Sequence, residues 1–185
     1  MKKILIILAV LVGCTMTANA QHYSVSTNIP DWAFLGTMNV KGEIAINNNW
    51  SLQAGGRYNP WTFNKGNPDK QMEDRKITLG AAARLWPWTV FTEWWFSGGV
   101  QYEQYNRGGI WGRKTEEGDA YGVTFAAGYT FMVREHLNIE AGLGGWLGMK
   151  NYREYRCPYC GRLEGEGKKF FVLPNELVIA LVYTF

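Results

Sequence analysis

Glu176-Leu177-Val178-Ile179-Ala180-Leu181-Val182-Tyr183-Thr184-Phe185 is the stretch that decides the fold. Leu177, Ile179, Leu181, Tyr183 and Phe185 fall on one side of a period-two pattern. Glu176, Val178, Ala180, Val182 and Thr184 fall on the other. A helix would scatter these apolar groups around its circumference. In a strand they line one face about 30 Å long, at ~3.4 Å per residue.

The same alternation recurs upstream and predicts seven earlier strands. They cover Tyr23–Ile29, Met38–Ile46, Trp50–Asn59, Lys76–Trp86, Val90–Glu103, Ala120–Val133 and Leu137–Met149. Asn47-Asn48-Asn49, Pro87-Trp88-Thr89 and Arg134-Glu135-His136 carry turn chemistry and make tight connections. Between them lie longer polar segments, Pro60–Arg75, Gln104–Asp119 and Lys150–Asn175, with Pro30–Thr37 a shorter one. Alternating short and long connections are the asymmetry of outer-membrane barrels, whose periplasmic turns are short and external loops long. The expectation is an all-β, eight-stranded antiparallel up-and-down transmembrane barrel with both termini in the periplasm.

Charge placement tests that expectation. Lys41, Glu43, Arg57, Arg84, Glu93, Glu140 and Glu176 all fall on the face opposite the apolar residues. A charge on a lipid face costs ~2–4 kcal/mol at the bilayer midplane, so these seven belong inside, as a paired polar network. Arg84 and Glu93 lie at similar distances from Pro87–Thr89 and are expected to be cross-strand neighbours. The competing architecture is a soluble, lipocalin-like binding barrel with apolar residues inside and charges outside. Aromatics fall near strand ends, as two interfacial belts require. Trp50, Trp86, Trp88 and Phe91 are expected at the periplasmic end, and Tyr58, Trp61, Phe63, Tyr102, Tyr105, Tyr152, Phe170 and Phe171 at the external end.

The first residues bear on localisation. Met1-Lys2-Lys3, the apolar run Ile4–Val12 and Ala18-Asn19-Ala20 compose a secretory signal, with cleavage expected between Ala20 and Gln21. The domains are then a signal peptide, 1–20, and a barrel, 21–185. Leu11-Val12-Gly13-Cys14 offers a second reading, a lipobox with Cys14 as the lipidated residue. Either route takes the chain out of the cytoplasm, and with the barrel pattern the expected location is the outer membrane of a Gram-negative bacterium. Without Lys2 and Lys3 the chain has 17 basic and 16 acidic residues, which gives no electrostatic case for a nucleic-acid partner. The ending at Phe185, inside the alternation, resembles the terminal signal by which outer-membrane assembly machinery recognises barrels. Tyr183 and Phe185 are its expected residues. Outer-membrane lipid is the other expected partner.

Cys157-Pro158-Tyr159-Cys160-Gly161 is the sharpest local motif. A small loop disulfide between Cys157 and Cys160, a zinc knuckle and a redox dithiol all use this spacing. Export favours the disulfide. Zinc needs four ligands, so Glu154, Glu164 or a second molecule would have to complete the set. A redox dithiol needs a strand-to-helix context, whereas this motif interrupts a hairpin. No nucleophile–base arrangement stands out: His22 and His136 both fall at the periplasmic end. The Gly142–Gly148 glycines precede no helix and are strand glycines, and Lys168-Lys169 reads as a solvated loop. No cofactor is implied. The expected role is non-enzymatic, structural or partner-binding through the external loops. An outer-leaflet lipid-modifying enzyme is the alternative.

Several motifs together resemble a known family. They are Thr27-Asn28, Trp50-Ser51-Leu52, Tyr58-Asn59-Pro60-Trp61-Thr62-Phe63, Arg84-Leu85-Trp86, the Cys157–Gly161 loop and Leu181-Val182-Tyr183-Thr184-Phe185. The chain resembles the Bacteroidetes proteins grouped as domain of unknown function 3575. That resemblance implies an outer-membrane barrel, a link to fimbrial or surface assembly, a surface or fimbrial protein as partner, and no assigned catalytic residue.

Overall fold

Period-two burial governs the whole wall. The computed structural model describes residues 22–65, 67, 70–110, 114–156 and 162–185. Its long strands are β1 (Tyr23–Asn28), β2 (Met38–Ala45), β3 (Trp50–Asn59), β5 (Met72–Leu85), β6 (Glu93–Gly108), β7 (Thr115–Arg134), β8 (Leu137–Tyr155) and β9 (Leu163–Thr184). A two-residue strand, β4 (Thr62–Phe63), continues the register of β3 along β5 beyond Pro60. Neighbours run β3-β2-β1-β9-β8-β7-β6-β5, all antiparallel, and β3 pairs with β5. Those eight strands form a closed up-and-down barrel.

On β9, Val178, Ala180, Val182 and Thr184 are buried, while Leu177, Ile179, Leu181 and Tyr183 are each more than 40 % exposed. The other strands repeat this. Val40, Leu52, Leu79, Phe96, Val100, Val123, Phe125 and Leu143 stand exposed on the outer face. Ser26, Glu43, Ser51, Thr78, Arg84, Glu103, Thr130 and Glu140 are buried within. This polarity is the reverse of a lipocalin-like barrel. The outer belt runs along β6 from Trp94 to Tyr102, about 27 Å of strand.

Two segments expected as loops, Gln104–Asp119 and Lys150–Asn175, prove to be largely strand, and Pro60–Arg75 is strand at Thr62–Phe63 and from Met72. The sheet continues past the belt: β6 runs on to Gly108, β7 starts at Thr115, β8 reaches Tyr155 and β9 begins at Leu163. The pairing Gly108↔Thr115 and Tyr155↔Leu163 shows how far the ladders extend. The reason is physical. Alternation marks a strand only where one face is apolar. Beyond the belt both faces are polar, so the pattern disappears while the hydrogen bonds go on. Lys168 and Lys169 accordingly lie on β9, not in a loop.

The β5–β6 connection is also longer than the three residues expected. It spans Trp86–Thr92, and β6 starts at Glu93 instead of Val90. Phe91 and Glu93 take positive φ, 66° and 54°. The turn is stitched to the β2–β3 turn: Trp86 N donates to Asn49 O at 2.8 Å, Val90 N to Asn48 O at 2.9 Å, and Asn49 Nδ2 to Trp86 O and Trp88 O at 2.8 and 2.9 Å. Folded this way, Trp86, Val90 and Phe91 turn into the barrel end and pack with Trp95, Val178, Ala180 and Val182. Trp86 and Phe91 are thus a plug and not part of an interfacial belt. Trp88 and Trp50 stay outside. At the other end Tyr105 and Phe171 likewise turn inward, with Ala120 and Trp146.

Between β1 and β2 the chain forms a short helix, α1 (Ile29–Ala33), started by Pro30 in its first turn. β1 therefore ends at Asn28.

Candidate functional site

The interior is organised around Arg84. Its position on β5 shares the inward parity of Thr78 and Trp86. From there its Nη1 meets Glu43 Oε2 of β2 at 2.5 Å, and its Nη2 meets Glu140 Oε2 of β8 at 2.9 Å. The guanidinium carbon lies over two indoles, 4.6 Å from the Trp86 ring centroid and 4.1 Å from that of Trp95. Both carboxylates have further donors: Ser51 Oγ and Gln53 Nε2 on Glu43, and Thr130 Oγ1 on Glu140. Trp86 Nε1 donates to Ser51 Oγ at 2.8 Å, tying the plug to the charge network. Trp95 reaches its place because β7 and β8 carry glycines beneath it. A Cβ on Gly128 would come within 2.4 Å of Trp95 Cζ2.

A second group sits further along the lumen. Glu176 of β9 pairs with Lys41, and with Arg57 Nη2 at 3.0 Å. Arg57 Nε also pairs with Asp31 of α1 at 3.0 Å, which anchors the helix to the wall. Six of the seven charges expected inside therefore fall in two linked groups. Glu93 does not. It is exposed, and Arg84 pairs across the hairpin with Ser97. The longer turn explains this, since Glu93 has no β5 residue opposite it and its positive φ breaks the pleat.

A third group lines the open mouth, drawn from the strand extensions. Arg107 of β6 bridges Asp74 at 2.8 Å and Glu103 at 2.5 Å, while Lys76 pairs with Asp74 at 2.8 Å. Tyr105 Oη donates to Glu116 at 2.6 Å, and Lys150 pairs with the same carboxylate at 2.6 Å. Burial would raise the Asp74 carboxyl, but Lys76 and Arg107 more than offset this and hold it below the usual carboxylate range. Glu116 is likewise held low, against its own burial, by Lys150 and Tyr105. Burial and the bond to Glu116 push the Tyr105 hydroxyl up. None of Asp74, Glu103, Tyr105, Arg107, Glu116 and Lys150 belonged to the network expected from sequence. All but Glu103 lie in or at the edge of stretches without apolar alternation. The usable signal was strand parity continued past the belt, which puts Glu103, Tyr105 and Arg107 on one face.

These two carboxylates make the mouth sensitive to acid. Their folded pKa values are depressed, so their contribution is complete above the unfolded range, ~4. It is lost as pH falls through the lower folded values. Amide exchange at the outer ends of β5, β6 and β7 should therefore quicken below pH ~4 while the Arg84 region stays protected. Equal quickening at both ends would contradict this separation.

The space left over is uneven. The middle of the lumen holds two voids of about 70 and 20 Å³, room for only a few waters. The mouth opens into two spaces, one of about 940 Å³ lined by Asn59, Lys76, Tyr105, Gly118, Tyr152 and Gly167, and one of about 660 Å³ bounded by Phe34, Asp74, Lys76, Arg107, Lys114 and Glu154. The barrel is thus blind, filled by charges in the middle and sealed by Trp86 and Phe91 at the end that carries Phe185. Tyr183 and Phe185 lie on the outer face of β9 with their rings 4.9 Å apart. Phe185 N donates to Tyr23 O at 2.8 Å, joining the last residue to β1. Among the described residues no group of three or more His, Cys, Asp or Glu could hold a metal ion. Cys14, Cys157 and Cys160 lie outside the described residues.

A family model matches residues 5–185, almost the whole sequence, and its description is a protein of unknown function, DUF3575. The chain belongs to that family. No curated protein and no solved structure matches it.

Proposed function

We propose that this DUF3575 protein is a non-enzymatic outer-membrane barrel that holds a short extracellular sheet above the bilayer and binds a surface partner there. The observation that carries the reading is the inverted polarity of the wall, with apolar residues exposed in a belt and charges paired within. A belt of about 27 Å along β6 is on the order of the apolar band of a transmembrane barrel, ~25 Å. Strands of 20, 19 and 22 residues in β7, β8 and β9 exceed the ~9–11 that span a bilayer. The surplus forms the sheet outside. Among the described residues no helix is long and apolar enough to cross a membrane, so the strands are the elements that would do so.

In this reading the signal peptide exports the chain, and the assembly machinery takes it up by Tyr183 and Phe185. The partner is a surface or fimbrial component, as the family resemblance implies. The filled lumen speaks for a scaffold over a channel. The purified chain should fractionate with outer membranes and show heat-modifiable migration on a gel. It should leave planar bilayers non-conducting. A soluble periplasmic product, or steady single-channel currents, would refute the proposal.

A further inference from the structure

Among the described residues the outer sheet has an edge that no strand covers. β9 pairs with β8 along nearly its whole length but with β1 only from Ala180 to Thr184. Just above, Asn28 imitates a strand: its Nδ2 donates to Leu177 O at 3.1 Å and its Oδ1 accepts from Ile179 N at 3.0 Å. Beyond that cap, β1 has ended and α1 has begun. Among the described residues no strand pairs with this edge from Leu163 to Leu173. The opposite margin of the sheet is treated differently, since β4 covers the end of β5 at Met72 and Glu73. Below, the columns of β1 and β2 fill the space between β9 and β3. Above them α1 and the residues that follow it bridge to β3 through Arg57, Asn59 and Trp61, while the β9 stretch above the Asn28 cap has no strand beside it among the described residues.

We propose that the Leu163–Leu173 edge of β9 is a strand-addition site that receives an extended, acidic peptide segment of another protein. The inference rests on the outer-membrane reading. Unpaired edges template pairing, and lysines, proline and bulges guard them against unselected strands. Lys168, Lys169, Pro174 and the bulge opposite Gly144 and Gly145 are such guards, so only a segment that neutralises the lysines adds here. This edge carries exposed apolar side chains, Phe170, Val172 and Leu173, next to Lys168 and Lys169. Glu164 and Glu166 on the same edge already face cations, Lys114 and Arg156 for the first and Arg153 for the second. The unmatched charge is therefore the lysine pair, which repels basic segments and favours carboxylates opposite it. Pro174 withholds one backbone donor at the bottom of the stretch, where the Asn28 cap takes over. Main-chain bonds would supply affinity, and the lysine pair would select the partner. A second copy in the same membrane does not fit. A twofold axis along the membrane normal preserves the upward component of each strand. Two strands tilted ~40° would then cross steeply instead of pairing.

The test uses the full chain in detergent micelles and three labelled ten-residue peptides. One alternates threonine and valine around two central glutamates. The second has lysines in place of the glutamates. The third is the glutamate peptide N-methylated on consecutive amides, so that neither of its edges keeps its donors. The glutamate peptide should bind and slow amide exchange across Leu163–Leu173. The lysine peptide should bind about fivefold more weakly, and the N-methylated peptide should not bind. The Lys168→Glu/Lys169→Glu variant, with heat-modifiable migration intact, should reverse the preference. No binding by any peptide, or binding indifferent to N-methylation, would overturn the site and leave the membrane reading standing. Loss of heat-modifiable migration in the unaltered chain is the separate result that sinks the membrane reading.

Discussion

Arg84→Ala should lose ~3–5 kcal/mol of stability, the largest loss expected from a single truncation in this barrel. The guanidinium neutralises two carboxylates at once, Glu43 and Glu140, and its side chain is 2 % exposed. Removing it leaves two acids facing each other in a lumen too narrow to hydrate them. It also strips the shared face from Trp86 and Trp95, each of which stacks on it. Arg84→Lys should recover only part of the loss. An ammonium can reach one carboxylate, but it cannot make two directed bonds while lying flat between two indoles. Urea unfolding in micelles, followed by tryptophan fluorescence, reports the difference directly. An Arg84→Ala barrel as resistant as the parent would show that the charge network does not hold the lumen together.

Glu43→Gln/Glu140→Gln in the Arg84→Ala background separates the two causes of that loss. If stranded acids dominate, neutralising them should restore much of the stability. If lost packing dominates, little should return. The geometry favours the first, because Ser51, Gln53 and Thr130 remain to satisfy neutral amides at the same positions.

How much of this was legible from sequence depended on where one face of a strand is apolar. In Glu176–Phe185 every second side chain is large and oily, and the register, the barrel and the inward Glu176 follow at once. In Gln104–Asp119 neither face is apolar, so the ends of β6 and β7 left no periodic trace. The cross-strand bonds and ion pairs that hold them are non-local and invisible in one sequence. The inner network was readable as parity, and Arg84 did reach Glu43 and Glu140. Its partner across the hairpin was misplaced by turn length, since Trp86–Thr92 absorbs four more residues than Pro87–Thr89. That same misreading hid the plug. Trp86 stands two residues from Arg84 on the same face, so parity already pointed it inward. The belt rule places aromatic residues near a strand end at an interface without consulting parity.

Gly128→Val is expected to approach the Arg84 truncation in effect, and for a connected reason. The glycine has no side chain because Trp95 occupies that space, and the barrier on the other side is backbone, Ala141 O at 2.5 Å from the Cβ position. Backbone in a paired strand cannot yield, so the indole must. Gly142 offers no escape, since a Cβ there would also lie 3.0 Å from Trp95 Cζ2 and the ring already fills the floor between the two strands. Displacing the indole removes one face of the Arg84 stack and opens the plug around Val178 and Ala180. Expelling a ring of this size costs on the order of 3 kcal/mol, near the lower end for a large aromatic core truncation. A double-mutant cycle identifies the mechanism. Trp95→Ala alone should be destabilising, but adding Gly128→Val to it should cost less than Gly128→Val in the parent, because the indole clash has gone and only the contact with Ala141 O remains. Strict additivity of the two losses would mean that the valine acts through strand geometry and not through the indole. The supporting glycine, the ring it admits and the arginine beneath that ring would then have to be treated as separate contributions to the barrel.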